Sequence, residues 1–174
     1  MKIGWERKIG YSFVGLMAGN AVSVVVLFLI ALLPQLEAFA EIRKGWNLPL
    51  SEALGLSLLI WLVSMGAWVI VGLPVVLLLQ AEIVADFYWV TAGLMGAVMG
   101  AFAMALIYVA PNPRHIDIAA FRNPETLCFF FLAALISGVA FAVYCALVWA
   151  TLRRQAKESG APKGTPRSLP WFDF

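Results

Sequence analysis

Glu82 and Asp86 stand i and i+4, the spacing at which a helix turns two carboxylates to one side. Paired acids of that kind hold a cation or relay a proton. No basic residue lies between them, and they fall in the turn expected between two apolar stretches. A solvated turn is the plain reading, and a cation or proton site at the inner mouth is the sharper one. Asn20 is the one strongly polar residue well inside the first apolar stretch. It is expected to hydrogen-bond a neighbouring helix, the alternative being a place on a transport path. Arg114, His115 and Arg122 gather in one loop, where two guanidiniums could bind an anionic headgroup or substrate.

His115 is the single histidine. It cannot complete a zinc ligand set alone, nor ligate a haem from two sides. Cys128 and Cys145 lie in one apolar stretch. A helix would hold them on the order of 25 Å apart, far beyond disulfide reach. They read as small buried apolar residues. The chain has no glycine-rich phosphate loop, no Gly-x-Ser-x-Gly elbow and no His-Glu-x-x-His. No cofactor or metal is expected, and neither is an enzyme. The four-helix thiol oxidases need cysteine pairs in external loops, and the small multidrug exporters need a glutamate inside the first helix. This chain has neither, so both families are excluded.

The elements that must carry these residues follow from composition. Of 174 residues 63% are hydrophobic and 13% charged, where soluble domains have roughly 45–50% and about 25%. A soluble fold of this size has no interior for so much apolar surface. Net charge is +2, too balanced for nucleic acid. Four stretches carry no charge: residues 9–35, 53–81, 87–113 and 126–152. Each exceeds the roughly 18–20 residues that a spanning helix needs. Backbone groups in lipid must be satisfied within the segment, so each stretch is predicted helical. The expected fold is an all-α membrane protein, a four-transmembrane-helix bundle with helices at 11–33, 54–79, 88–109 and 127–152.

The first helix follows a basic segment and precedes Ala38-Phe39-Ala40, features of a signal peptide. Its apolar core is longer than the roughly 7–15 residues of a signal sequence, so it reads as an uncleaved anchor. Lysine and arginine near the helix ends set orientation. Lys2, Arg7, Lys8, Arg153, Arg154, Lys157, Lys163 and Arg167 fall on the side of the termini, and Arg43, Lys44, Arg114 and Arg122 on the other. Both termini are therefore predicted cytoplasmic, in a plasma (inner) membrane. Trp5, Tyr11, Tyr88, Trp89 and Trp149 would mark the inner interface, and Trp46 and Tyr108 the outer.

The first loop, 34–52, could hold an interfacial helix with Leu36, Phe39 and Ile42 on one side. The third, 110–125, is bounded by Pro-Asn-Pro and Asn-Pro-Glu, strong breakers. Residues 155–174 form a basic tail rich in Gly, Pro and Ser, expected to be flexible.

Small residues recur at helical spacing. Gly15, Gly19 and Ser23 form one ridge; Ala92, Gly96 and Gly100 a second, beside Gly93, Ala97, Ala101 and Ala105; and Ala134, Gly138 and Ala142 a third. Such ridges let helix backbones approach closely. They serve packing within the bundle or, on the sharper reading, a partner interface, for which the third helix is the best candidate. Ser57, Trp61, Ser64 and Trp68 share a face of the second helix and form a packed seam or a polar cleft. Gly72 and Pro74 should kink or loosen that helix near its inner end.

Two functions survive. The first is a non-catalytic accessory, assembly or regulatory subunit, acting through contacts with other membrane helices in a homo-oligomer or larger complex and with membrane lipids. The alternative is a small transporter or channel for an ion or small solute. Ionisable residues mark function inside membranes, and the centres of all four stretches lack them, which favours the first.

Overall fold

The computed structural model describes residues 3–32, 50–85, 87–109 and 124–158. Among the described residues 95% are helical and none is in a strand. The elements are α1 (Trp5–Leu32), α2 (Leu50–Ala67), a π-helical segment (Trp68–Gly72), α3 (Leu73–Leu78), α4 (Ala81–Ala85), α5 (Trp89–Val109) and α6 (Pro124–Glu158). Four helices are long and apolar enough to cross a membrane: Trp5–Leu32, Ser51–Leu78, Trp89–Leu106 and Thr126–Glu158.

Proline punctuates these elements. Pro34 and Pro111 follow α1 and α5 in the sequence, and the residue ahead of a proline is disfavoured in a helix. Pro124 opens α6, where its missing N–H is no loss. Pro74 is different, because it lies inside an apolar run. Its ring would press on the carbonyl four residues back, and it cannot donate to that carbonyl. The chain widens just before it. The Leu73 amide donates to the Trp68 carbonyl, an i to i+5 bond, and α3 then resumes with proline in its first turn. The kink or loosening expected at Gly72 and Pro74 takes the form of a π-helical segment. At its two ends the array is longer than the sequence spacing implied. α1 starts at Trp5 and α6 continues to Glu158.

α6 is the central helix. α5 packs along one side of it and α1 along another. α2 and α3 pack on α1, and α4 packs on α6. α2 makes no extended contact with α5 or α6 among the described residues, so the order in space is α2, α1, α6, α5. Among the described residues the helices form an open array whose edge helices, α2 and α5, do not pack on each other.

Polar contacts tie one end of this array. The Lys8 ammonium donates to the Leu79 carbonyl at 2.5 Å, beyond the last turn of α3. A cation is favourable there because the carbonyls at a helix C-terminus carry partial negative charge. The Tyr11 and Thr151 hydroxyls are 2.7 Å apart, joining the start of α1 to the end of α6. Beneath these contacts lies the core, where Ile3, Val76, Val84, Ala92, Tyr144 and Val148 are buried together. The start of α1, the turn after α3 and the end of α6 therefore share one end.

The interfacial helix expected in the first loop, the third loop with Arg114, His115 and Arg122, Asp86, and the tail beyond residue 158 fall outside the described residues.

Candidate functional site

Glycine sets how closely the helices meet. On α1, a Cβ added at Gly15 would run into the Ala140 carbonyl, and one at Gly19 into the Ile136 carbonyl, both on α6. On α5, a Cβ at Gly96 would lie 2.5 Å from the Ser137 carbonyl oxygen, and one at Gly100 2.5 Å from that of Ala133. A Cβ at Gly138 of α6 would lie 2.9 Å from the Gly93 carbonyl oxygen of α5. These are backbone obstacles, which cannot rotate away as a side chain would. Both glycine ridges thus face α6, and α6 answers α5 with its own glycine. Ala92 is fully buried in the core, and Ala142 lies beside Gly93. Ala134 is half-buried on the same helix.

Ser23, at the end of the first ridge, is buried, and its hydroxyl donates to the Asn20 carbonyl within α1. The ridge pattern pointed to the glycines. It missed their partners on α6, Ala133, Ile136, Ser137 and Ala140, which have no shared type or spacing of their own.

Asn20 is buried at the seam between α1 and α2. Its amide donates to the Leu16 carbonyl at 3.0 Å, and its side-chain oxygen accepts from Ser64 at 2.9 Å. Ser64 is also 2.9 Å from the Trp61 carbonyl, so one hydroxyl proton serves two acceptors. Further along the seam the Trp68 indole N–H donates to the Ser12 hydroxyl at 3.3 Å, and Phe13 meets the Trp68 ring edge-on at 5.7 Å. Ser57 is buried and bonds back to the Ala53 carbonyl at 2.7 Å. The shared face of Ser57, Ser64 and Trp68 is satisfied within the seam. At the opposite end of the seam, Val24, Phe28, Leu54, Ser57, Leu58 and Trp61 line an open, largely apolar groove of about 400 Å³.

Tyr144 is 1% exposed, and its hydroxyl has no hydrogen-bond partner among the described residues. Burying an unpaired hydroxyl is costly, so this position is under-satisfied. Sequence spacing held no signal for it. Cys145 is buried next to it and Cys128 half-buried, and both are free thiols.

The charged side chains whose placement is described all sit toward helix ends: Glu6, Arg7, Lys8, Glu52, Arg153, Arg154, Lys157 and Glu158. Among the described residues no three of His, Cys, Asp or Glu come together as metal ligands would. Glu82 lies in α4, on the face of the array that also holds Lys8 and Leu79, and its side chain lies outside the described residues. The structure therefore brings the glycine ridges of α1 and α5 to α6, and Asn20 to α2. What this arrangement can do chemically is hold helices in register. No family model matches the chain, and no curated protein or solved structure matches it either.

Proposed function

We propose that this chain is a multi-pass protein of the plasma (inner) membrane, with both termini cytoplasmic. In this reading it is a non-catalytic accessory, assembly or regulatory subunit working through helix contacts. Membrane insertion is supported by four long apolar helices whose outward faces are Leu, Val, Ile, Met, Phe and Trp. Water would not tolerate that surface, whereas lipid is as apolar as leucine.

The observation that carries the subunit reading is the open array. The glycine ridges of α1 and α5 are occupied inside the chain, against α6. They are therefore not the surface offered to a partner, and α2 is. Among the described residues α2 itself packs on α1 and on no other spanning helix, and it leaves Leu58, Leu62 and Val63 exposed. A transport path is not favoured, because Asn20, Ser64, Ser12 and Trp68 satisfy one another in a closed seam.

Site-specific photocrosslinkers in native membranes test this. Probes at Leu58 and Leu62 should capture a defined protein band, and probes at Phe13, which faces Trp68 within the chain, should not. Lipid adducts alone at α2 would overturn the reading. Glu82→Gln with Asp86→Asn should leave that band and the protein level unchanged; loss of a solute flux in an intact protein would favour the transporter instead.

A further inference from the structure

Where α1 begins beside the end of α6, a groove of about 310 Å³ is lined by Gly4, Trp5, Glu6, Arg7 and Gln155. The Tyr11–Thr151 contact explains why it forms there. Arg7 precedes Tyr11 by one turn and Gln155 follows Thr151 by one turn, so each rides on the same side of its helix as the touching pair. One turn further out the two helices part and leave space between them. Glu6, Arg7 and Gln155 form no ion pair or hydrogen bond from their side chains among the described residues. Three polar side chains of different kinds, a carboxylate, a guanidinium and an amide, are thus directed to one opening without being spent on each other.

The charges that line this groove balance, one carboxylate against one guanidinium, within a rim that is basic overall. Glu6 and Arg7 are neighbours on α1 and both line the groove, while Lys8, Arg153, Arg154, Lys157 and Glu158 lie outside its lining. A purely anionic ligand would meet the Glu6 carboxylate inside the groove. A zwitterion with a phosphate and a protonated amine would meet a partner for each charge. Trp5 is 65% exposed at the lip, as suits an aromatic ring at the headgroup level of a bilayer.

From this we infer a headgroup site for a zwitterionic aminophospholipid, the phosphate on Arg7 and Gln155 and the primary ammonium on Glu6. The site rests on the membrane reading above, since only an inserted chain presents this rim to headgroups. A quaternary amine cannot donate a hydrogen bond to Glu6, so the site distinguishes phosphatidylethanolamine from phosphatidylcholine. The guanidinium–phosphate contact is common to both.

The full chain in nanodiscs of equal phosphatidylethanolamine and phosphatidylcholine tests this by native mass spectrometry of the lipids retained on ejection. The wild type should retain phosphatidylethanolamine over phosphatidylcholine by about tenfold, the scale of one charge-assisted hydrogen bond. Glu6→Gln should bring the ratio near one. Arg7→Gln should lower retention of both lipids, and Glu158→Gln should leave the ratio as in wild type. An unchanged ratio in Glu6→Gln overturns the site. So does equal retention of phosphatidylglycerol in a third bilayer, which would mark a merely basic rim. A chain that fails to enter nanodiscs at all overturns the membrane reading itself, an outcome separate from loss of lipid preference.

Discussion

Ser64 donates its hydroxyl hydrogen to the side-chain oxygen of Asn20 at 2.9 Å, and this bond joins the edge helix α2 to the rest of the array. Asn20 is held for the role by its own amide bond to Leu16 one turn back. Asn20→Ala removes the acceptor, and Ser64→Ala removes the donor. Interhelical hydrogen bonds of this kind average about 0.6 kcal/mol and reach about 1.7 in membranes. A double-mutant cycle, measured by reversible unfolding in bicelles, should give a coupling in that range. A coupling of zero would mean that Ser64 bonds only the Trp61 carbonyl of its own helix.

Glycines in this chain divide by what a methyl group would meet. Gly96 has the Ser137 carbonyl oxygen at 2.5 Å from an added Cβ, whereas Gly55 and Gly66 have open space. Gly96→Leu should therefore destabilise the isolated monomer by about 1–3 kcal/mol, as overpacking does elsewhere. Gly66→Ala should be neutral, or stabilise by up to about 1 kcal/mol through helix propensity. The readout is monomer unfolding, not dissociation, because the ridge faces α6 within the chain. Equal behaviour of the two variants would contradict the close approach.

The four spans were legible because charge is excluded from each, and the glycine ridges because small residues repeat every four positions. The order of the helices was not. Helices apolar on every side carry no hydrophobic periodicity to say which face meets a neighbour, so the sequence implied a four-helix bundle without the order of its helices. The widened turn was half-legible. Pro74 announced a disturbance, but nothing local said that Trp68 would accept the displaced bond. The contact of Lys8 with Leu79 was hidden for a third reason, since the acceptor is a backbone carbonyl and has no residue type.

Two tyrosines near the same end of the array should respond oppositely to loss of their hydroxyl. Tyr11 shares its hydroxyl with Thr151 at 2.7 Å, and Tyr144 has no partner among the described residues. Tyr11→Phe removes a bond worth about 0.5–1.5 kcal/mol and should destabilise by that order. Tyr144→Phe relieves a buried unsatisfied group and should be neutral or stabilise by about 1 kcal/mol. Thermal unfolding in one detergent, run side by side, gives the sign of each shift. A clear loss of stability in Tyr144→Phe would show that its hydroxyl is bonded, for example through a buried water.

Orientation in the membrane rests on charge, and the structure adds a constraint to it. Lys8 with Leu79, and Tyr11 with Thr151, place the start of α1, the turn after α3 and the end of α6 at one end. Whatever side holds one must hold all three. That end carries Arg7, Lys8, Arg153, Arg154 and Lys157, whereas the intervals at the other end contribute Arg43, Lys44, Arg114 and Arg122. Basic residues close to spanning helices are retained on the cytoplasmic side. Reporter fusions at Gly45 and Asn112 should accordingly report the outside, and a fusion at Ala161 the inside. Because the three elements are tied together, a mixed result, with Gly45 and Ala161 on the same side, would contradict the helix pairing itself. A clean inversion of all three would leave the pairing intact and overturn only the charge argument.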